Sequence, residues 1–466
     1  MIEFTPALEH DAEKPLYFQI YDYIKEHIIT GQVMVGTRLP SIRSLSDHLK
    51  VSRNTIESAY QQLISEGYVE SKPRSGLYVV EVDQDVLDPH SPSPVLSVRK
   101  KQAPAQSKID FRYGNVDQKH FPMKIWRKCV QQRMSLESQE LFGYGDPQGE
   151  YELRQQIASY LLYSRGVVCT AEQVIIGSGI QHLLSLFTHL VEHKKIAVEN
   201  PGYDVVPKIF KGHGYHVIPI PVDDHGIEVA QIEQSETRMV YVTPSHQFPQ
   251  GVVMPISRRL ELLKWAEKSK GLIIEDDYDS EFRYVGKPIP ALQGLDKNNR
   301  VVYFGSFSKS FLPSLRMGYM VVPESFVHRY LNQYLIFDNP VPSVLQLALA
   351  QFMKEGHWMR HIRRMRRVYL RKHHLLLSAI TQYFGEKVQV IGQNAGLHIL
   401  LEVYNGMEET SLIESASKKG VRVYPISRHF YDLVPRKHSY VQIGFGGVEE
   451  DEIGEGIRRL YDAWFK

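Results

Sequence analysis

The chain has 466 residues and a net charge of +2 at neutral pH, long enough for roughly two to four domains and too near neutrality to argue for or against a nucleic-acid partner. Hydrophobic residues make up 43% and charged residues 23%, which excludes a disordered or fibrous chain and fits a globular protein with a sizeable core. No run of about 18 apolar residues is present, residues 1–11 lack the basic start and apolar stretch of a secretory signal, and Cys129 and Cys169 fit neither a metal pair nor a disulfide framework; the expectation is a cytoplasmic protein with no membrane association and no metal site.

Residues 13–81 read as a small helical domain ending in a hairpin. Leu16, Ile20, Tyr23, Ile24 and Ile28 recur at the period of an amphipathic helix that stops near Thr30-Gly31. Leu39-Pro40 breaks the chain, and Ser41 is placed as the N-cap of a short second helix with Ile42, Leu45 and Leu49 inward. After a turn at Lys50-Val51, Ser52 caps a third helix with Ile56, Ala59, Tyr60 and Leu63 inside and Gly67 as its stop. Two short helices joined by a tight turn make a helix-turn-helix. Tyr68-Val69-Glu70 and Leu77-Tyr78-Val79-Val80 are predicted as strands flanking a wing at 71–76.

The third helix begins with Arg53, Asn54 and Thr55. A recognition helix presents such residues to base edges in the major groove, where arginine matches guanine and asparagine adenine. Ser52 and the helix N-terminus favour a phosphate, and Arg43 and Arg74 would reach the DNA backbone or minor groove. A solvated polar face on a plain helical bundle fits the same periodicity.

The residues go further than the periodicity. Arg38-Leu39-Pro40-Ser41-Ile42-Arg43-Ser44-Leu45, Val51-Ser52-Arg53-Asn54-Thr55-Ile56 and Ala59-Tyr60-Gln61-Gln62-Leu63-Ile64-Ser65-Glu66-Gly67-Tyr68 closely resemble the GntR-type winged helix, over essentially the whole head. That resemblance implies binding to double-stranded promoter DNA through Arg43, Ser52, Arg53, Asn54 and Thr55, with the wing from Arg74 to Gly76.

Residues 82–108 hold Pro89, Pro92, Pro94 and Pro104, the basic run Arg99-Lys100-Lys101 and no sustained period, and are expected to be a linker. The basic run reads as solvated, with a DNA-phosphate contact as the alternative.

From 109 to 466, strand-like runs alternate with helical patterns, the order of an α/β body, and residues from about 340 are expected to contribute a smaller domain. Three stretches carry chemistry. Val174-Ile175-Ile176 runs through Gly177-Ser178-Gly179 into a helix starting Ile180-Gln181; its terminal amides suit a phosphate, although such turns are common without a ligand. Leu272-Ile273-Ile274 ends in Glu275-Asp276-Asp277-Tyr278. Acids at a strand end are often only caps, but a pyridoxal ring needs one carboxylate on its protonated nitrogen; Asp276 is the choice, with Tyr278 reaching the ring hydroxyl. Val301-Val302-Tyr303-Phe304 leads through Ser306 and Ser308 to Lys309, and Arg316 follows. A lysine that forms a Schiff base sits at a strand end, partly desolvated, so that it can be neutral and nucleophilic; Ser306, Ser308 and Arg316 would then bind phosphate. Alone, the Ser-x-Ser-Lys run equally describes a solvated lysine.

In this order the three stretches resemble fold-type I pyridoxal-phosphate enzymes, and the body is similar to a class I/II aminotransferase with large and small domains. Tyr144-Gly145-Asp146-Pro147-Gln148-Gly149, Leu153-Arg154, Glu199-Asn200-Pro201-Gly202-Tyr203 and Thr243-Pro244-Ser245-His246-Gln247-Phe248-Pro249-Gln250-Gly251 support the likeness. It implies pyridoxal 5′-phosphate on Lys309 as an internal aldimine, Asp276 on the pyridine nitrogen, Tyr278 on the ring oxygen and Tyr203 stacked on the ring. Gly179, Ile180, Gln181, Ser306, Ser308 and Arg316 form the implied phosphate cup. Tyr144 is implied to reach the phosphate of a neighbouring subunit, and hence a homodimer.

Two stretches depart from the enzymes. The usual Asn-Pro-x-Gly reads Phe248-Pro249-Gln250-Gly251, which leaves Gln247 as the stand-in for the ring-oxygen asparagine. The stretch 441–446, where a carboxylate-clamping arginine is usual, has none; Arg428 is the replacement considered, beside the plain reading of a surface arginine. These departures weaken the case for turnover more than the case for cofactor binding.

A GntR-type head, a linker and an aminotransferase-like body look like the MocR/GabR subfamily of regulators. The implied function is transcription regulation in which an amino compound, or the cofactor itself, is sensed through the aldimine at Lys309 and changes promoter binding, with weak or no transaminase turnover. The alternatives are an active aminotransferase carrying a DNA-binding head and a body that serves only to dimerise.

Overall fold

The computed structural model describes residues 4–9, 14–81, 109–135, 142–284, 289–334, 338–431 and 438–466. The chain divides into two compact units, residues 1–102 and 103–466. The stretch 82–108 expected as a linker, with its Arg99-Lys100-Lys101 run, lies outside the described residues.

In the head, helices run over Leu16–Ile29, Ile42–Leu49 and Arg53–Ser65. Ser41 and Ser52 each accept a hydrogen bond from the backbone N–H three residues on, at 3.1 Å, so both helix starts are capped as their sequence predicts. Ile20, Ile24, Leu45, Ile56, Tyr60 and Leu63 share one buried core, and the Tyr60 hydroxyl donates to the Pro40 carbonyl at 3.0 Å, fixing the entry to the second helix. Strands β1 (Val69–Lys72) and β2 (Gly76–Val79) pair antiparallel with Lys72 opposite Gly76. The wing turn is therefore only 73–75, shorter than expected. Gly76 has φ +117°, a backbone conformation that strains any residue with a Cβ, and a Cβ there would come within 2.9 Å of Arg38 Nε, so glycine is favoured in the turn.

The body opens with a short strand, β3 (Ile109–Asp110). Its large lobe is built on β4 (Val174–Gly177), β5 (Lys195–Asn200), β6 (His216–Asp223), β7 (Gly226–Ile227), β8 (Met239–Val242), β9 (Leu272–Asp277), β10 (Val301–Ser306) and β11 (Gly318–Val321). They form one sheet in the order β4-β11-β10-β9-β8-β5-β6-β7. The centre, β10-β9-β8-β5-β6, is parallel. β10, β9, β8 and β5 are buried on both faces, as the unbroken apolar runs at 239–242, 272–274 and 301–304 require. In such a sheet the carboxyl ends of the strands border a crevice, and the chemistry-bearing stretches 275–278 and 306–309 lie at those ends.

The smaller lobe has β12 (Val388–Ile391), β13 (His398–Val403), β15 (Tyr424–Pro425) and β16 (Ser439–Gly444) in the antiparallel order β12-β13-β16-β15. A further strand, β14 (Val421–Arg422), pairs in parallel with β3, bringing Ile109 opposite Val421. Ile109 and Phe111 thus join the core of the C-terminal lobe. The long helix His357–Phe384 starts in one core, with Trp358 and Ile362, and ends in the other, with Met365 to Phe384. The expected division at about 340 therefore moves into this helix, because Val341 to Ile362 pack with the large lobe. Among the described residues no helix is long and apolar enough to cross a membrane.

Candidate cofactor site

A cavity of about 230 Å³ lies at the carboxyl ends of β4, β8, β9 and β10. Of the expected cofactor contacts, Gly179, Ile180, Gln181, Tyr203, Asp276, Tyr278, Ser306, Ser308, Lys309 and Arg316 all line it. Strand alternation selects among the three acids of β9. Glu275 and Asp277 face away: Glu275 accepts from the Leu292 and Gln293 amides at 2.7 and 2.8 Å, and Asp277 is bound by Arg165 at 2.7 Å and the Tyr303 hydroxyl at 2.6 Å. Asp276 is left facing the cavity.

Lys309 follows β10 in the helical turn Phe307–Ser310, which Ser306 caps by accepting from the Ser308 N–H at 3.1 Å. Its Nζ sits 3.8 Å from the centroid of the Tyr113 ring. Burial lowers its pKa to about 8, against the opposing pull of Asp279 and helped by the charge of Arg112. The result is an amine that is neutral in appreciable fraction at physiological pH, the form a nucleophilic lysine needs.

Asp276 shows the opposite shift. Burial raises its pKa to about 7, against a hydrogen bond from the Tyr241 hydroxyl. Among the described residues it has a donor but no cation, and a protonated ring nitrogen is the partner that would make its charged form favourable. Tyr278 donates to the His246 carbonyl at 2.7 Å, and its oxygen lies 3.0 Å from His246 Nδ1, which in turn is 3.1 Å from both carboxylate oxygens of Asp279.

The far end of the cavity is an anion cradle. Gly179, at φ +96°, precedes the helix Ile180–Leu190, so that the helix opens onto the cavity with unpaired amides. A Cβ on Gly179 would come within 3.2 Å of Arg316 Nη2; the glycine lets backbone and guanidinium converge on one point. Ser306 and Ser308 line the same end. Lysine, an acid facing the cavity and an anion cradle are what the aldehyde, ring nitrogen and phosphate of pyridoxal phosphate require, and the residues fit that group.

Gln247, Arg428 and Tyr144 do not line this chain's cavity; Tyr144, expected at a neighbouring subunit's phosphate, need not. Gln247 is buried, but its amide donates to the Pro201 and Phe248 carbonyls at 2.8 and 2.7 Å and its Oε1 accepts from the Gln250 N–H at 3.2 Å. It holds the 247–250 turn together, and Phe248, not Gln247, walls the cavity. Arg428 is exposed and its Nε donates to His429 Nε2 at 3.3 Å. Tyr144 is 85% exposed and lies outside its own chain's cavity.

Sequence reasoning missed Tyr113, Gly114, Tyr241 and Thr243 on the cavity wall, and Arg112, an exposed cation beside it. For Tyr241 and Thr243 a signal existed: with period two along β8 and the residue that follows it, both share a face at the same sheet edge as Asp276. In the head, Arg43, Ser52, Arg53, Asn54 and Arg74 are exposed, while Thr55 is half-buried and its hydroxyl lies 2.8 Å from Ser52 Oγ.

Fold and cavity define the class: a winged-helix head on a pyridoxal-phosphate-binding body of aminotransferase type. A model of the aminotransferase class I and II family matches residues 106–460, and one of bacterial regulatory proteins, gntR family, matches 16–79. The uncharacterized HTH-type transcriptional regulator YdeL of Bacillus subtilis is 45% identical, over 99% of this chain and all of its own length. The probable rhizopine catabolism regulatory protein MocR of Rhizobium meliloti is 33% identical over 98% of this chain and 95% of its own. Among solved structures, the kynurenine aminotransferase of Pyrococcus horikoshii matches with a TM-score of 0.69 and 27% identity, covering 76% of this chain and 90% of that one. The chain belongs to the GntR/MocR-type regulators, in which a GntR head is fused to an aminotransferase-like pyridoxal-phosphate domain.

Proposed function

We propose that the protein is a cytoplasmic, homodimeric regulator that senses an amino compound, or the cofactor itself, through the covalent bond between Lys309 and pyridoxal phosphate. The observation that carries this reading is the pairing of a pKa-lowered lysine with a pKa-raised Asp276 in one cavity, in a chain that also has a DNA-binding head. Bound there, the cofactor supplies an aldehyde that exchanges reversibly between amines. Lys309 provides the resident amine, Asp276 holds the ring nitrogen's proton, and Tyr278 turns its hydroxyl from the His246 carbonyl to the ring oxygen. Tyr203 covers the ring, the Gly179–Gln181 amides with Ser306, Ser308 and Arg316 hold the phosphate, and Tyr144 reaches into the neighbouring subunit.

The test is a spectral titration of the cofactor-loaded protein with a panel of amino compounds, followed by DNA binding with and without each one that responds. A compound that displaces Lys309 and changes DNA affinity, without steady turnover in the presence of keto acids, is the expected result. Sustained transamination would favour the enzyme with a DNA-binding head.

Two further outcomes are expected. Among the described residues, Arg112 is an exposed cation beside the cavity whose charge reaches Lys309. Arg112→Gln therefore weakens displacement by amino acids roughly tenfold and leaves simple amines unaffected, whereas Arg428→Gln changes neither; equal losses for acids and amines would argue against an acid-binding role. In the head, Arg53→Ala lowers affinity by about 1–3 kcal/mol and relaxes preference at one base position. Arg74→Ala weakens all sequences alike and reduces the salt slope by about 1, measurable by anisotropy on selected duplexes.

A further inference from the structure

The strand that receives the chain from the 82–108 stretch runs directly to the lysine. Tyr113 stands five residues past residue 108, and its ring lies 3.8 Å under Lys309 Nζ. Gly114 is closer still: a Cβ there would come within 2.9 Å of the same nitrogen.

The backbone of this segment is held by the C-terminal lobe. Ile109 N–H donates to the Gly420 carbonyl at 3.2 Å, Phe111 N–H to Arg422 at 3.0 Å, and Gly444 N–H to Phe111 at 2.9 Å. Gly444 has no side chain because Tyr113 lies there; a Cβ would come within 2.6 Å of Tyr113 Cα. The ring is packed edge-on or tilted against His398 at 4.6 Å and Phe248 at 5.2 Å. Nothing in the cofactor chemistry described above calls for an aromatic ring at this point, since ring stacking falls to Tyr203 and the ring oxygen to Tyr278.

We propose that Tyr113 reads whether Lys309 is bonded to the cofactor and passes that difference to the segment joining body and head. It is a positioning residue of the switch and takes no part in the chemistry. The inference rests on the reading of Lys309 as the cofactor's anchor. A ligand shifts a conformational equilibrium only through a contact that differs between the two states. A free lysine ammonium over an aromatic face is such a contact, strengthened where water is excluded. A nitrogen bonded to the cofactor's carbon is no longer a free ammonium on that face. The displacing amine thus creates the Lys309–Tyr113 contact, and Tyr113 is tied through 109–111 to the strand where the linker enters. A contact of this kind is sufficient for a roughly 2- to 30-fold change in DNA affinity.

The experiment uses full-length protein loaded with pyridoxal phosphate, and aminooxyacetate as a probe that needs no knowledge of the natural effector. The probe nitrogen bonds to the aldehyde carbon as that carbon's bond to Nζ breaks. The two protons of the probe's amine go to Nζ, and nothing is oxidised or reduced. Absorption reports displacement, and anisotropy on a selected duplex reports DNA affinity.

Wild type and Tyr113→Phe should show both the spectral change and the shift in affinity. Tyr113→Leu, at a cofactor concentration that saturates it, should show the spectral change with the shift in DNA affinity reduced to less than about twofold. A full DNA response in Tyr113→Leu, or none in wild type despite complete displacement, overturns the proposal. Absence of any spectral change in wild type sinks the anchor reading itself, which separates the two failures. Hydrogen exchange on wild type covers the case of a variant that does not fold: residues 109–114 must change protection on displacement, and unchanged exchange there counts against Tyr113.

Discussion

Lys309→Ala is expected to abolish the covalent capture of pyridoxal phosphate and, with it, every response of DNA binding to amino compounds. The phosphate cradle at Gly179 and Arg316 and the acid at Asp276 are untouched by the substitution, so the cofactor still enters but is held only by reversible contacts. Borohydride, which fixes an imine to its lysine, should label wild type at Lys309 and leave the variant unlabelled. The pH dependence of capture in wild type follows from the lysine's shift. With the pKa lowered to about 8 by burial, the neutral nucleophile grows about tenfold per pH unit below that value and saturates above it. Stopped-flow mixing of apo protein with cofactor between pH 6 and 9 should bend near 8. A rate still climbing toward 10, as for a solvated lysine, would place the amine outside the cavity.

How far the sequence alone could be read depends on whether a residue's neighbours lie along the chain or across it. Lys309, Asp276 and Gly179 were legible because each ends or closely follows a strand run, and the carboxyl ends of these strands place such residues at the crevice. The capped helices of the head were legible for the same local reason: Ser41 and Ser52 bond to residues three positions on. Gln247 was misread because its role depends on which way one turn faces, and its donors close that turn onto Pro201 and Phe248. Tyr113 was invisible. Its place beside Lys309 comes from the pairing of β3 with β14 and the approach of Gly444, contacts between distant parts of the chain that leave no periodic trace. The boundary of the smaller lobe was misplaced because one continuous helix, His357–Phe384, serves two cores, and its amphipathic pattern carries no mark where the partner changes.

Asp276→Asn should make the cofactor-free protein more stable at pH 8 while weakening its hold on the cofactor. Burial raises Asp276 from 3.8 to about 7 in the folded chain. As pH rises from about 4 to 7, the unfolded chain has already released this proton while the folded chain keeps it, so stability falls through that window and the full deficit persists above it. The shift corresponds to about 4 kcal/mol, which asparagine recovers because it carries no charge and still accepts from Tyr241. Glu199 and Glu281, each raised to about 7 by burial, act with the same sign; the wild-type slope is therefore shared, and the difference between wild type and variant isolates Asp276. Urea unfolding of the apo proteins should show near-equality at pH 4 and the largest gain for the variant at pH 8. With cofactor the order reverses in wild type, because a protonated ring nitrogen supplies the cation that the buried carboxylate lacks, and the stabilisation by cofactor should grow as pH rises through 7. In the variant that growth should be absent. An Asp276→Asn apo protein less stable than wild type at pH 8 would mean that the carboxylate already has a partner, and that the acid on the ring nitrogen must be sought elsewhere in the cavity.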